Sequence, residues 1–301
     1  MRLCGLVVLL ASLASCDSPR AAQELDALGS TAPCLGSSEL CARTYEQVSY
    51  FTSHNAMSNE TEGWFVPNHE IPIAEQLELG VRALMLDVHL SEGALMLCHG
   101  TCLAGSEPLG PRLETLREFL KANPGEVLTV ILESYAPAAS VAEAFTQAGL
   151  ADYARSQALE EPWPTLGALI AADERLVVFT DDAAGGPPWM LDVWAHSFET
   201  SFDVGSPEQL NCEPNRGEVG NSLFILNHFL STPFADPDGA SEINRADFVL
   251  DRALECWAAH GQRPNFITVD FAAMGDVMGA VHELNLRSEP TDRTERQARH
   301  R

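Results

Sequence analysis

Short, almost unbroken apolar runs recur along the chain and alternate with amphipathic stretches. The runs Val48–His54, Ala83–Val88, Leu95–His99, Val127–Glu133, Leu176–Asp181, Leu223–His228 and Asn265–Phe271 read as strands, and Val193–Phe198 offers an eighth. Helical spacing marks Ile73–Leu79, Leu113–Lys121, Val141–Ala148, Ala246–Ala259 and Gly275–Leu284. Within residues 112–123, Leu113, Leu116, Phe119 and Leu120 fall on one helical face, and Asn123-Pro124-Gly125 stops it. Strands that are apolar throughout belong to a parallel sheet covered on both faces. Eight such strands in about 250 residues predict an α/β fold, a single-domain (β/α)8 TIM barrel. A doubly wound open sheet is the alternative, but the Gly-rich fingerprint expected after its first strand is missing.

Charge narrows the partners. The 301 residues carry 43 acidic and 18 basic side chains, a net charge of −25. The two ends of the chain cancel, so that charge sits on residues 34–287. Nucleic acid and anionic lipid both need a basic face, so neither is expected to bind by general electrostatics. With 46% hydrophobic residues the body can bury a core, which argues against disorder.

The first residues point to export. Arg2 precedes the apolar run Leu6–Leu13, and Leu13-Ala14-Ser15-Cys16 fits a bacterial lipoprotein signal over residues 1–16. On that reading Cys16 is lipidated and anchors the protein to a membrane of the cell envelope. An ordinary secretory signal is the alternative, and the protein is then secreted. Residues 17–33 read as a flexible tether, 34–287 as the barrel, and 288–301 as a solvated, disordered tail. The six remaining cysteines suit an oxidising compartment. Proximity pairs Cys34 with Cys41 and Cys98 with Cys102, leaving Cys212 with Cys256. Zinc at Cys98-His99-Cys102 is the rival, but no second close pair at zinc spacing accompanies it.

Polar residues stand where the strands end: His54-Asn55, Asp87, His99, Glu133, His228 and Asp270. In a barrel those ends meet at one rim, where active sites are built. Asp181-Asp182 reads as a turn or cap. Trp64, Trp189 and Trp194 are candidate lipid contacts, Met57 and Met85 core or pocket lining, and Arg82 a structural ion pair.

Ser53-His54-Asn55-Ala56-Met57-Ser58, Gly80-Val81-Arg82-Ala83-Leu84-Met85-Leu86-Asp87 and Leu97-Cys98-His99-Gly100 together resemble the X-domain of phosphatidylinositol-specific phospholipase C. Asn123-Pro124-Gly125-Glu126-Val127, Leu132-Glu133 and Pro264–Phe271 extend the likeness over roughly residues 41–286. The resemblance implies a distorted TIM barrel and a phosphodiesterase in which a substrate hydroxyl attacks the neighbouring phosphorus. By position, His54 matches the general base, His99 the general acid and Asp270 the carboxylate that orients the base. Imidazole suits both jobs because its ordinary pKa lies near neutrality. An arginine that one bacterial type places on the second strand is replaced here by Asp87. Asn55, Asp87 and Glu133 match three of the four ligands of the calcium-dependent type, with Met85 at the fourth place. The resemblance therefore implies a weak divalent site, Ca2+ first and Mg2+ second. His228 is a candidate substrate-binding residue, with a packed rim histidine as the other reading. The substrate expected is a phosphodiester, an inositol phospholipid or a glycerophosphodiester among them. A non-catalytic, lipid-tethered binding module is the reading outside enzymology. Nothing in the chain points to a protein partner.

Overall fold

The computed structural model describes residues 33–231 and 234–290. Cys16, the leader, most of the tether and residues 291–301 lie outside the described residues. In chain order the elements are β1 (Tyr50–Ser53), α1 (Ile73–Leu79), β2 (Ala83–Ser91), β3 (Ala94–Cys98), β4 (Ser106–Pro108), α2 (Leu109–Ala122), β5 (Leu128–Tyr135), α3 (Ala138–Gln147), α4 (Leu166–Ala171) and β6 (Leu176–Thr180). Then follow β7 (Met190–Asp192), α5 (Val193–His196), β8 (Ser197–Glu199), β9 (Leu223–Asn227), α6 (Pro237–Ile243), α7 (Ala246–His260), β10 (Phe266–Val269) and α8 (Val277–Asn285).

Eight parallel strands run round in the order β7-β6-β5-β2-β1-β10-β9-β8. The sheet curls so that the first and last strands of the chain pair, Tyr50 opposite Phe266. It stays unpaired between β7 and β8, which gives a distorted, incompletely closed (β/α)8 barrel. Alternation along each strand feeds two cores. Tyr50, Ala83, Ile131, Val177, Ile225 and Phe266 fill the barrel with Met85 packed against them, and Tyr45 and Trp163 join the same cluster. Phe51, Leu84, Leu86, Val130, Leu226 and Ile267 face outward onto Leu113, Leu116, Phe145 and Val249 of the helices. That two-sided burial is why the strands read as continuous apolar runs.

Two strand assignments need correction. Leu95–His99 was expected to be a barrel strand. Instead β2 overshoots the rim, turns at Glu92 and Gly93 (φ 51° and 83°), and returns as β3, antiparallel to β2. The segment Val193–Phe198 is strand only from Ser197. Its first half is the helical turn α5, because the Asp192 carboxylate accepts from the backbone N–H groups of Trp194 and Ala195 (2.9 and 3.2 Å). The remaining parallel strand is β7, three residues long and therefore without a periodic signal.

The three expected disulfides form: Cys34–Cys41, Cys98–Cys102 and Cys212–Cys256. The second removes both thiolates a zinc site at His99 would need. Arg82 makes the expected ion pair, with Glu126 at 2.6 Å, and also donates to the carbonyls of Leu77 and Val81. No helix among the described residues is long and apolar enough to cross a membrane.

Candidate active site at the barrel mouth

Strand alternation decides which polar residues reach the mouth. On β1 the inward series Tyr50, Thr52 continues to His54, and on β10 the series Phe266, Thr268 continues to Asp270. The two strands pair in register, so His54 Nδ1 lies 2.9 Å from Asp270 Oδ1. Asp270 is only 2% exposed, and Asn68 Nδ2 donates to the same oxygen at 2.9 Å. Asn244 Nδ2 donates to the Asp270 carbonyl at 2.8 Å. That approach needs Gly275 (φ 72°), where a Cβ would lie 2.2 Å from the Asn244 carbonyl oxygen. The residues after both partners, Asn55 and Phe271, hold positive φ of 47° and 49°. Backbone strain of this kind is tolerated where surrounding contacts over-determine it.

His54 is held on several sides. Its ring stacks on Phe229, centroids 4.0 Å apart and 7° from parallel. His69 Nδ1 accepts from the Ala272 N–H, so its Nε2–H donates to the His54 carbonyl at 2.7 Å. Burial pushes the His69 pKa down to about 4, which keeps it a neutral strut. For His54 burial disfavours the imidazolium. The charge and hydrogen bond of Asp270, with Asp87 and Glu133 behind them, outweigh that and raise its pKa. His99 is pushed the other way, by burial and by the charge of His54. Of the two imidazoles, His54 is therefore the one that holds a proton more tightly.

His99 reaches the mouth by the hairpin rather than by a barrel strand. The Cys98–Cys102 disulfide closes its loop, and the Gly100 N–H bonds to the Asp87 carboxylate. Asp87 and Glu133 sit side by side in the β2–β5 register. Burial and the neighbouring Glu133 charge push the Asp87 pKa up to about 7. Tyr135 donates its hydroxyl to Glu133 Oε1. With Asn55, these carboxylates form an oxygen-rich wall beside His54.

The wall separates two adjoining cavities. An inner one of about 240 Å³ runs into the barrel past Met85, Asp181, Trp194 and Asn227. An outer one of about 640 Å³ opens between the loops past Phe65, Tyr135 and Phe234. His54, Asn55, Asp87, Glu133, Phe202 and Phe229 line both, whereas His99 lines only the outer cavity.

His228 does not join them. On β9, Ile225 and Asn227 face inward, so His228 faces the helices and is fully buried. Its Nδ1 accepts from Arg252 at 3.1 Å and its Nε2–H donates to the Ile243 carbonyl at 2.9 Å. Burial, then Arg252, pushes its pKa down to about 3. The packed-rim reading holds, and the inward residue at this strand end is Asn227. Of the tryptophans, Trp194 lines the inner cavity, Trp64 is core, and Trp189 packs against the core next to Phe145.

Sequence reasoning missed Asn68 and His69, which lie in the loop after β1 with no periodicity to mark them. It also missed Glu199 and Arg216. Arg216 Nε donates to Glu199 Oε1 at 2.5 Å, and its guanidinium lies over the rings of Trp194 and Phe202 at 4.3 and 4.7 Å. Asn227 at the inward end of β9 could have been found from the two-residue alternation alone.

Known proteins show the same arrangement of elements. The family model described as PI-PLC X 1 matches residues 40–285. PI-PLC X domain-containing protein 1 of Arthroderma benhamiae is 29% identical over 276 residues, covering 84% of this chain and 89% of its own. A PI-PLC X domain-containing protein of Arabidopsis thaliana is 28% identical over 320 residues, covering 95% of this chain and 74% of its own. An uncharacterized secreted protein of A. benhamiae is 26% identical, covering 84% of this chain and 63% of its own length. Among solved structures, a phosphatidylinositol-specific phospholipase C from Staphylococcus aureus superposes with TM-score 0.57 at 15% identity, covering 82% of this chain and 96% of that one. The enzyme from Listeria monocytogenes gives TM-score 0.54 at 16% identity, covering 80% and 94%. At these identities the structural likeness speaks for the fold, and the family match for the lineage: the chain belongs to the PI-PLC X family.

Proposed function

We propose that the protein is an exported phosphodiesterase that cleaves a phospholipid-type phosphodiester by attack of a neighbouring substrate hydroxyl on phosphorus. One observation carries this reading: His54, held 2.9 Å from the buried Asp270, lines both cavities, while His99 lines only the outer one. The division supports separate roles. His54, oriented through Nδ1 by Asp270, presents Nε2 to the attacking hydroxyl of a headgroup in the inner cavity. His99 protonates the leaving oxygen of a group seated in the outer, more apolar cavity. A cyclic phosphate is then opened by water with the two roles exchanged.

Asn55, Asp87 and Glu133 would hold a divalent cation, Ca2+ before Mg2+. Two neighbouring carboxylates, with the Glu133 charge raising the proton affinity of Asp87, are a donor set that suits a hard metal. When bound, it would neutralise those carboxylates, offset the phosphate charge and ease the hold that Asp87 and Glu133 exert on the His54 proton. Met85 at the fourth place supports a weak site completed by water and substrate. Among the described residues no group of three His, Cys, Asp or Glu side chains could hold a metal, so a tight all-protein cage is not the design. Export is supported by the three disulfides and by the relative called a secreted protein.

The test is a screen of the purified protein against phosphatidylinositol, glycerophosphodiesters and other phosphodiesters, with Ca2+ and with chelator. Cleavage is expected for at least one phosphodiester, is abolished in His54→Ala and His99→Ala, and weakens with chelator. Unchanged rates in both variants would overturn the mechanism. A calorimetric titration with no metal binding, with or without a phosphate ligand, would remove the cation.

A further inference from the structure

The two histidines of the mouth are held in unlike ways. Asp270, Phe229 and His69 fix His54, whereas the His99 ring makes no hydrogen bond to another described residue. Its position is therefore set by its backbone. That backbone is the turn of residues 99–105 between β3 and β4, whose ends meet where Cys98 pairs with Ser106. None of residues 99–105 is buried and Leu103 is 97% exposed, so the turn has no apolar anchor of its own. Within it the Thr101 N–H donates to the His99 carbonyl at 2.7 Å, and the Ala104 N–H to the Thr101 carbonyl at 3.0 Å. Those bonds shape the turn without tying it to the barrel. At its far end the Phe65 N–H donates to the Ala104 carbonyl at 2.8 Å, and Gly105 lies so close to Trp64 that a Cβ would stand 2.4 Å from the ring. At its near end the Gly100 N–H bonds to the Asp87 carboxylate. The one covalent tie is Cys98–Cys102, which fastens the turn to a fully buried strand-end residue directly before His99.

That bridge does little for the fold as a whole. Its sequence separation of 4 is the shortest of the three, against 7 and 44, and chain-entropy stabilisation grows with the loop closed. The pairing of β2, β3 and β4 already fixes the hairpin. What the bridge does fix is the short stretch it encloses, which begins with His99. In the reaction an oxygen–phosphorus bond forms to the headgroup hydroxyl, whose proton goes to His54. The bond to the leaving oxygen breaks as that oxygen takes the His99 proton. The donor must stand within hydrogen-bond reach of that oxygen, and a misplacement of about 1 Å costs on the order of a hundredfold in rate. We propose that Cys98 and Cys102 are positioning residues, their disulfide holding His99 where it can protonate the leaving oxygen. This rests on the phosphodiesterase reading above and adds to it what places the proton donor.

The experiment compares wild type, Cys102→Ser and His99→Ala on two phosphodiesters that share a headgroup. One is phosphatidylinositol in phosphatidylcholine vesicles, whose alkoxide leaving group needs a proton. The other is the 4-nitrophenyl ester of myo-inositol 1-phosphate, whose phenolate leaves without one. Cys102 is only partly buried, so a serine hydroxyl is accommodated there while the buried Cys98 keeps its packing. Cys102→Ser should lower kcat on phosphatidylinositol about a hundredfold and change the nitrophenyl rate by less than about threefold, the same split as His99→Ala. Equal losses on both probes mark a general structural role and overturn the proposal, as do unchanged rates on both. A histidine-ring NMR spectrum tests placement without turnover: in Cys102→Ser the His99 signal should move to that of a solvated histidine, with those of His69 and His228 in place. A His99 signal that stays put overturns the proposal. Cleavage of neither probe by wild type counts against the phosphodiesterase reading, and the ring spectrum then decides the positioning. If Cys102→Ser does not fold, Cys98→Ala combined with Cys102→Ala, which leaves no unpaired thiol at the turn, repeats both measurements.

Discussion

Asp270→Asn changes one atom and tests the heart of the site. Asp270 Oδ1 accepts from both His54 Nδ1 and Asn68 Nδ2 at 2.9 Å, and the carboxylate is buried. An asparagine of the same shape keeps the packing, so the fold should survive. It removes the negative charge and introduces an NH2 group that competes to face His54 Nδ1. Where NH2 faces the ring, Nδ1 becomes the acceptor, the proton moves to Nε2, and the nitrogen presented to the substrate can no longer take one. Loss of orientation and of imidazolium stabilisation together should lower kcat by about 10³–10⁴-fold, or about 4–5.5 kcal/mol of barrier. The proton affinity of His54 should change in a defined direction. Asp270 is the main influence raising its pKa against burial, so without that charge burial prevails and the pKa falls below the usual histidine value. The assays are turnover of whichever phosphodiester the wild type cleaves, an NMR titration of the His54 ring, and circular dichroism to confirm folding. Asn68→Ala removes only the second donor to Oδ1 and should cost about tenfold. A folded Asp270→Asn protein whose turnover stays within tenfold of wild type, with the His54 titration unmoved, would refute the reasoning.

Further outcomes follow from the same geometry. The folded pKa of Asp87, about 7, lies above its unfolded value of 3.8, so its cost to stability accumulates as pH rises from 3.8 to 7 and is complete above that. Asp87→Asn should therefore raise the urea midpoint at pH 8, by about 2–4 kcal/mol of stability, with little change near pH 4, while weakening metal binding. Burial holds His69 and His228 neutral, with folded pKa values of about 4 and about 3, below the unfolded 6.5. Their contribution to stability is complete above pH 6.5 and is lost as pH falls through that value toward the folded pKa. Their ring resonances should stay unshifted in NMR spectra between pH 8 and 5, and a titration there would contradict the assigned neutral struts. The Cys212–Cys256 bridge closes a sequence separation of 44, so replacing both cysteines by alanine should cost about 4 kcal/mol in denaturant unfolding on the chain-entropy account.

What the sequence could disclose follows from where a side chain's direction is tied to a repeat. Within strands the two-residue period fixes direction, so His54, Asp87, Glu133 and Asp270 were legible as one rim, each continuing an inward series. The same rule, applied strictly, would have turned His228 away and brought Asn227 in. The error came from reading the strand end and not its parity. His99 was legible as a strand end but for the wrong strand, since it arrives on an antiparallel hairpin that the apolar pattern alone makes indistinguishable from a barrel strand. Asn68, His69, Phe202 and Arg216 sit on connections with no period, where direction is set by contacts distant in sequence: Asp270 for Asn68, Ala272 for His69, Glu199 for Arg216. Those connections are where a shared barrel acquires a particular site. The acidic excess carries the same lesson at larger scale. The −25 total argued against anionic partners from outside, but it could not reveal that four carboxylates converge on one cavity around a single arginine. Inside a half-closed cavity those groups interact at short range and low screening, so their local balance, and not the surface total, sets the field a ligand would meet there.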